Sequence, residues 1–126
     1  MKKAVFLLFL ISLSSTAQGP AVKFLEKSHE FGNISEKGPA AQTTFRFVNT
    51  GDAPLVILYA KTSCGCTKAT YPEAPVAPGD TARIDVKFDQ TGYAGEFNKT
   101  ITVRSNATSN ATTRLKIKGC VIPTHH

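Results

Sequence analysis

The 126-residue chain carries 15 Lys and Arg against 9 Asp and Glu, a formal net charge of +6, with 41% hydrophobic residues and three cysteines. That length suits one domain and leaves little for a second. The positive excess is modest and its carriers are scattered instead of forming a run, which excludes the footprint of a nucleic-acid-binding protein.

Lys2 and Lys3 precede the apolar run 4–11, and small polar residues ending Ser15-Thr16-Ala17 follow it. This is the pattern of a secretory signal peptide over residues 1–17, and its apolar core falls short of the about 20 residues that span a bilayer. Loss of Lys2 and Lys3 leaves thirteen basic residues against nine acidic, a net of +4 for the expected mature chain 18–126. No cysteine follows the cut to accept a lipid, so a product without a transmembrane segment is expected in the periplasm, at the cell surface or in the medium.

Residues 22–24 and 29–31 read as short edge strands. Residues 43–49 place Phe45 and Phe47 on one parity, and Asn49-Thr50-Gly51-Asp52 before Pro54 supplies turn chemistry. Residues 55–60 are apolar without a gap. Their shortness and their Val and Ile content predict a central strand covered on both sides, in preference to a short buried helix. Pro78-Gly79-Asp80 introduces the clearest segment, 81–88, in which Ala82, Ile84, Val86 and Phe88 alternate with Thr81, Arg83, Asp85 and Lys87. Such alternation gives a strand one face in a core and one in water. Thr91-Gly92 and Gly95 lead to residues 97–104, where Phe97, Ile101 and Val103 share a parity. The polar stretch 105–111 suits the last loop, and 112–118 turns Leu115 and Ile117 inward against Arg114, Lys116 and Lys118 outward. Lys116 and Lys118 are expected on an edge strand, where charge deters aggregation or steers an acidic partner strand.

About seven short strands, with no amphipathic helical segment, predict an all-β fold. The economical form is a single immunoglobulin-like antiparallel β-sandwich, with a closed barrel as the alternative. The blocks His29-Glu30-Phe31-Gly32-Asn33-Ile34, Phe45-Arg46-Phe47-Val48-Asn49-Thr50-Gly51-Asp52-Ala53-Pro54-Leu55 and Ser63-Cys64-Gly65-Cys66-Thr67 stand in order along the chain. Together with Pro78-Gly79-Asp80-Thr81, Gly95-Glu96-Phe97-Asn98-Lys99 and Leu115-Lys116-Ile117-Lys118-Gly119, they resemble the bacterial exported domain-of-unknown-function family fifteen-seventy-three. The resemblance covers nearly all of the mature chain. It implies an immunoglobulin-like fold akin to Hydin-type, major-sperm-protein and pilus-chaperone sandwiches, and it implies no activity and no catalytic residues. Cys120 departs from the acidic or small polar residue expected after the final Gly.

Cys64, Cys66 and Cys120 are the residues whose spacing invites chemistry. In the sandwich topology the strands at 55–62 and 112–118 run the same way and flank 97–104, so all three thiols gather at one pole. A Cys66–Cys120 bridge would close a loop of about 55 residues and stabilise by about 4 kcal/mol, whereas Cys64–Cys66 is close in sequence but contributes only about 1.6 kcal/mol. Chain entropy favours the first and proximity the second, which would be easily reduced. A structural disulfide with one spare thiol, a redox-active Cys-Gly-Cys, and a copper or zinc site on Cys64, Cys66 and Cys120 with His125 and His126 all remain open. The single-residue spacing argues against zinc, and exchange catalysts normally use two intervening residues beside a helix start.

Elsewhere Asp80, Asp85 and Asp89 read as solvated carboxylates and His29 as a surface residue. Ser63 and Ser105 have no His and acid partner that the sequence can place beside them, so catalysis is not expected. The combined expectation is a non-enzymatic cell-envelope module that contacts an envelope protein or a surface polymer, with no cofactor implied. The alternative is a periplasmic thiol-redox or copper-binding protein using Cys64, Cys66 and Cys120.

Overall fold

The computed structural model describes residues 19–123, and the expected signal segment 1–17 lies outside them. Eight strands follow in order: β1 (Val22–Phe24), β2 (Ser28–Ser35), β3 (Ala41–Asn49), β4 (Ile57–Thr62), β5 (Thr67–Thr70), β6 (Thr81–Phe88), β7 (Gly95–Ser105) and β8 (Thr112–Ile122). They form two four-stranded sheets, β1-β3-β6-β5 and β2-β8-β7-β4. The alternation read in 81–88 is realised: Ile84, Val86 and Phe88 of β6 are buried against Phe45 and Phe47 of β3 and, from the facing sheet, Ile101, Leu115 and Ile117. Each such side chain contributes about 1.5–3 kcal/mol on burial, and the arginines and lysines between them remain in water.

The first segment serves both sheets. β1 pairs antiparallel with β3, then the chain crosses the edge and β2 pairs parallel with β8. The second sheet is therefore mixed, because a strand that changes sheets without reversing direction must meet β8 in parallel. A register shift between Glu30 and Asn33 accommodates this. The extra residue lets Phe31 and Ile34, three apart, both pack against the core. Gly32, at φ +72°, supplies the backbone conformation that the bulge requires.

Two expectations need correction. β8 is not an edge: β2 and β7 occupy both of its sides, so Lys116 and Lys118 neither protect an edge nor flank an open one. The segment 55–60 is not a doubly covered central strand, since β4 forms the outer edge of its sheet and Leu58 is 52% exposed. Leu58 is the extra residue between Ile57, opposite Ser105, and Tyr59, opposite Arg104, and the resulting bulge blunts the edge. The eighth strand, β5, is too short and too polar to show an alternation.

Two buried side-chain amides pin the connections at opposite poles. Asn49, fully buried, donates from Nδ2 to the carbonyls of Ala53 (2.8 Å) and Val76 (2.9 Å), while its Oδ1 accepts the N–H of Gly51 (2.9 Å) and Ala21 (3.3 Å). Gln90 donates to the carbonyls of Ser35 (3.0 Å) and Pro39 (2.9 Å) and accepts the Ala41 N–H (3.3 Å). Each amide thus replaces water at backbone groups near the strand ends, adding a hydrogen bond where the ladders stop.

Candidate functional site

The expected gathering of the thiols follows from strand direction. β4 and β8 are both antiparallel to β7 and flank it, so the chain beyond β4 and the end of β8 lie at one pole. Cys64 and Cys66 form a disulfide across Gly65, with Cα atoms 5.3 Å apart, and Cys120 carries a free thiol. The long Cys66–Cys120 bridge is not formed. Cys120 stands on the outward parity of β8 opposite Glu96, whereas Cys66 packs against the core in the connection that crosses to the other sheet. Proximity has prevailed over loop entropy because side-chain parity removes the distant thiol.

The tight turn is held locally. The Thr67 N–H donates to the Cys64 carbonyl (3.3 Å), and the Thr62 hydroxyl donates to the same oxygen (2.9 Å). The Cys66 N–H donates to Cys64 Sγ (3.2 Å), and Thr67 Oγ1 lies 3.8 Å from each sulfur. The Asp89 N–H donates to the Cys66 carbonyl at 2.9 Å, tying the turn to the end of β6. An open cavity of about 310 Å³ beside the turn is lined by Gly65, Cys66, Lys68, Lys87 and Asp89. The Thr91 N–H, donating to the Asp89 carboxylate, holds that group below its ordinary range.

The three sulfurs do not converge. Among the described residues no group of three or more His, Cys, Asp or Glu side chains could hold a metal ion, and His125 and His126 lie outside those residues. The remaining sequence candidates have structural duties. Ser63 Oγ accepts the Thr100 N–H (3.2 Å), Ser105 is buried and accepts the Ala107 N–H (3.1 Å), and His29 stacks edge-on against Phe31 (4.5 Å). Asp85 accepts the Thr44 hydroxyl (2.8 Å) and pairs with Arg83 (3.4 Å). Asp80 and Asp89 are exposed, as expected of turn carboxylates.

A second feature lies away from the cysteines. The outer face of the sheet β2-β8-β7-β4 carries Arg114, Lys116 and Lys118 at alternate positions of β8, all exposed. Their spacing is about 6.8 Å from one to the next. Arg114 lies opposite Thr102, which faces Lys61 of β4, and Arg104 stands between Thr112 and Tyr59. Arg104 donates to the Thr112 hydroxyl (2.7 Å), and the Lys61 ammonium sits over the Tyr59 ring at 4.8 Å. None of the five cations forms an ion pair with a described residue. Glu30, opposite Lys118, and Glu96, opposite Cys120, stand only toward the sulfur pole, so positive charge concentrates at the other end. The sequence showed three of these side chains pointing outward; their union with Lys61 and Arg104 depends on strand order.

The chain belongs to the family described as "Protein of unknown function (DUF1573)", whose model matches residues 22–121. No curated protein matches it in sequence. Among solved structures it is similar to a protein of unknown function from Porphyromonas gingivalis W83, at 16% identity and a TM-score of 0.72, over 87% of this chain and 50% of that one. The chain thus spans half the length of that relative. It is also similar to the ASH/PapD-like domain of human CEP192, at 14% identity and a TM-score of 0.60, covering 82% of this chain and 87% of the other. The E. coli chaperone DraB aligns at 13% identity and a TM-score of 0.56, over 85% and 57% of the two chains. At these identities the likeness shows the immunoglobulin-like, PapD-like sandwich and nothing finer.

Proposed function

We propose that the protein is an exported, non-enzymatic binding module of the cell envelope, and that the outer face of β2-β8-β7-β4 holds an acidic surface polymer. The row Arg114, Lys116 and Lys118, flanked by Lys61 and Arg104 and free of acidic partners at its far end, carries the reading. Alternation along an extended strand spaces charges regularly on a flat surface, which matches a chain bearing repeated anionic groups. A protein partner fits less well, because stable protein interfaces centre on buried aromatic or aliphatic anchors, and the exposed apolar side chains of this sheet, Leu58 and Ile122, stand on its edge strand and at the end of β8 instead of within the cation row. Residues 1–17 act as the export signal in this reading, so protein from its native cell should have the intact mass of a chain beginning at Gln18.

Fluorescence titration with labelled polygalacturonate tests the face. Neutralising Arg114, Lys116 and Lys118 together to Gln is expected to weaken binding about tenfold, at roughly 0.5 kcal/mol per exposed cation, and affinity should fall as salt rises. Arg46→Gln with Arg83→Gln, on the opposite sheet, should change it less than about twofold. Equal weakening by both variants, or tighter binding of an unstructured acidic peptide than of the polymer, would overturn the assignment.

A further inference from the structure

The cavity at the sulfur pole has an arrangement that fold stability does not explain. Lys68 of β5 and Lys87 of β6 stand directly opposite each other. Like charges so placed destabilise a strand pair by tenths of a kcal/mol. Both line the cavity that reaches Cys66 and does not reach Cys64, and Asp89 is the single acid among the five lining residues. The two sulfurs are also unequal. Cys64 Sγ accepts the Cys66 N–H and lies near Thr67 Oγ1, whereas Cys66 Sγ has only the threonine hydroxyl.

We propose that the Cys64–Cys66 disulfide is an exchange site for anionic thiols, attacked at Cys66 through the Lys68/Lys87 cavity with Cys64 as the leaving sulfur. A thiolate of the partner bonds to Cys66 Sγ and the Cys64–Cys66 bond breaks. Its electron pair stays on Cys64 Sγ, where the Cys66 N–H already points and the Thr67 hydroxyl is near enough to stabilise the new anion. One disulfide is consumed and one formed, so no outside oxidant or reductant enters. The Cys64 thiolate can later attack the mixed disulfide at Cys66 and release the partner thiol. The two lysines draw in a thiol bearing additional negative charge, such as a small acidic thiol or a thiol flanked by acidic residues. Cys120, outward on β8 beside Glu96, takes no part.

The full mature chain is mixed with mercaptoethanesulfonate or, separately, with cysteamine. Exchange is followed by acid quenching and intact mass, and the adduct is located by peptide mapping. The initial rate per unit of thiolate should be about tenfold higher for the sulfonate, with the adduct on Cys66. Lys68→Gln with Lys87→Gln, both at exposed positions, should bring the two rates within about twofold while the thermal transition of the protein is retained. Predominant adduct on Cys64, a rate ratio near one in the unaltered protein, or a ratio that survives loss of both lysines would overturn the proposal. The site lies off the β8 cation row, so either reading can fail without the other.

Discussion

Asn49→Leu is expected to lower the unfolding free energy by about 3 kcal/mol, a shift that urea denaturation followed by circular dichroism would register as an earlier midpoint with a similar slope. Leucine shares the branched skeleton and is the larger side chain, so the loss comes from hydrogen bonding and not from a cavity. The four partners of the amide belong to three segments: Ala21 before β1, Gly51 and Ala53 in the turn after β3, and Val76 before β6. The Val76 carbonyl still accepts the Leu55 N–H, and so loses only one of two donors. The other groups are partly buried and recover some hydration, which keeps the total nearer 3 than 6 kcal/mol at about 1–3 kcal/mol for each orphaned group. Asn49→Asp should also destabilise, because the acceptor contacts survive while both donors vanish and a charge is buried. Asn98→Ala, at an exposed outward position of β7, should stay within about 0.5 kcal/mol. A loss below about 1 kcal/mol for Asn49→Leu would mean that water or backbone movement replaces the amide.

The legibility of this fold varies with how much of an element's pattern is its own. β6 could be read end to end, because four apolar residues alternate with charged or hydroxyl side chains over its whole length. The same holds for the inward parity of β3 and β8. β5 offers only Thr-Lys-Ala-Thr, and it is a strand because β6 extends far enough to pair with it, a fact located elsewhere in the chain. The apolar run 55–60 misled for a related reason. It serves different environments in succession: Leu55 bridges to Val76 and is fully buried, Ile57 points into the core, and Leu58 bulges into solvent. Continuous hydrophobicity cannot distinguish that from a doubly covered strand.

The site shows the same division. That the three cysteines share a pole was accessible from strand direction, but the pairing depended on which parity of β8 Cys120 occupies and on where the Cys64-Gly65-Cys66 turn crosses between sheets. Lys68 and Lys87, nineteen residues apart, become neighbours only through the β5–β6 register. Arg114, Lys116 and Lys118 were correctly turned outward, yet their meaning changed once β2 and β7 enclosed β8. An edge device became the middle of a face. Local alternation therefore reports which side of a sheet a residue takes, and strand order decides what that side is next to.

The sheet also contains a close approach that a single methyl group should break. Gly119 and Phe97 are direct partners across β8 and β7, and a Cβ at Gly119 would stand 2.8 Å from Phe97 Cζ and 2.9 Å from the Gly32 carbonyl oxygen. The bare glycine lets the Phe97 ring lie across it, where the ring centroid comes within 4.4 Å of Phe88 and 6.3 Å of both Phe31 and Tyr93. It also lets β2, at its bulge, approach β8. Gly119→Ala is thus expected to cost about 2–3 kcal/mol through overpacking, more than the roughly 0.5–1 kcal/mol by which alanine ordinarily improves on glycine in a strand. Phe97→Leu alone should cost about 1.5 kcal/mol, because leucine cannot reproduce the ring's packing against Phe88 and Tyr93. Combined, the two should cost at least about 1 kcal/mol less than their sum, because leucine vacates the ring position that the new methyl needs; the Gly32 carbonyl keeps the rescue incomplete. Denaturant titration of the four proteins measures this coupling. Strict additivity would show that the sheet yields at Gly32 instead of at the ring, and that the bulge, not the aromatic cluster, is the softer side of this pole.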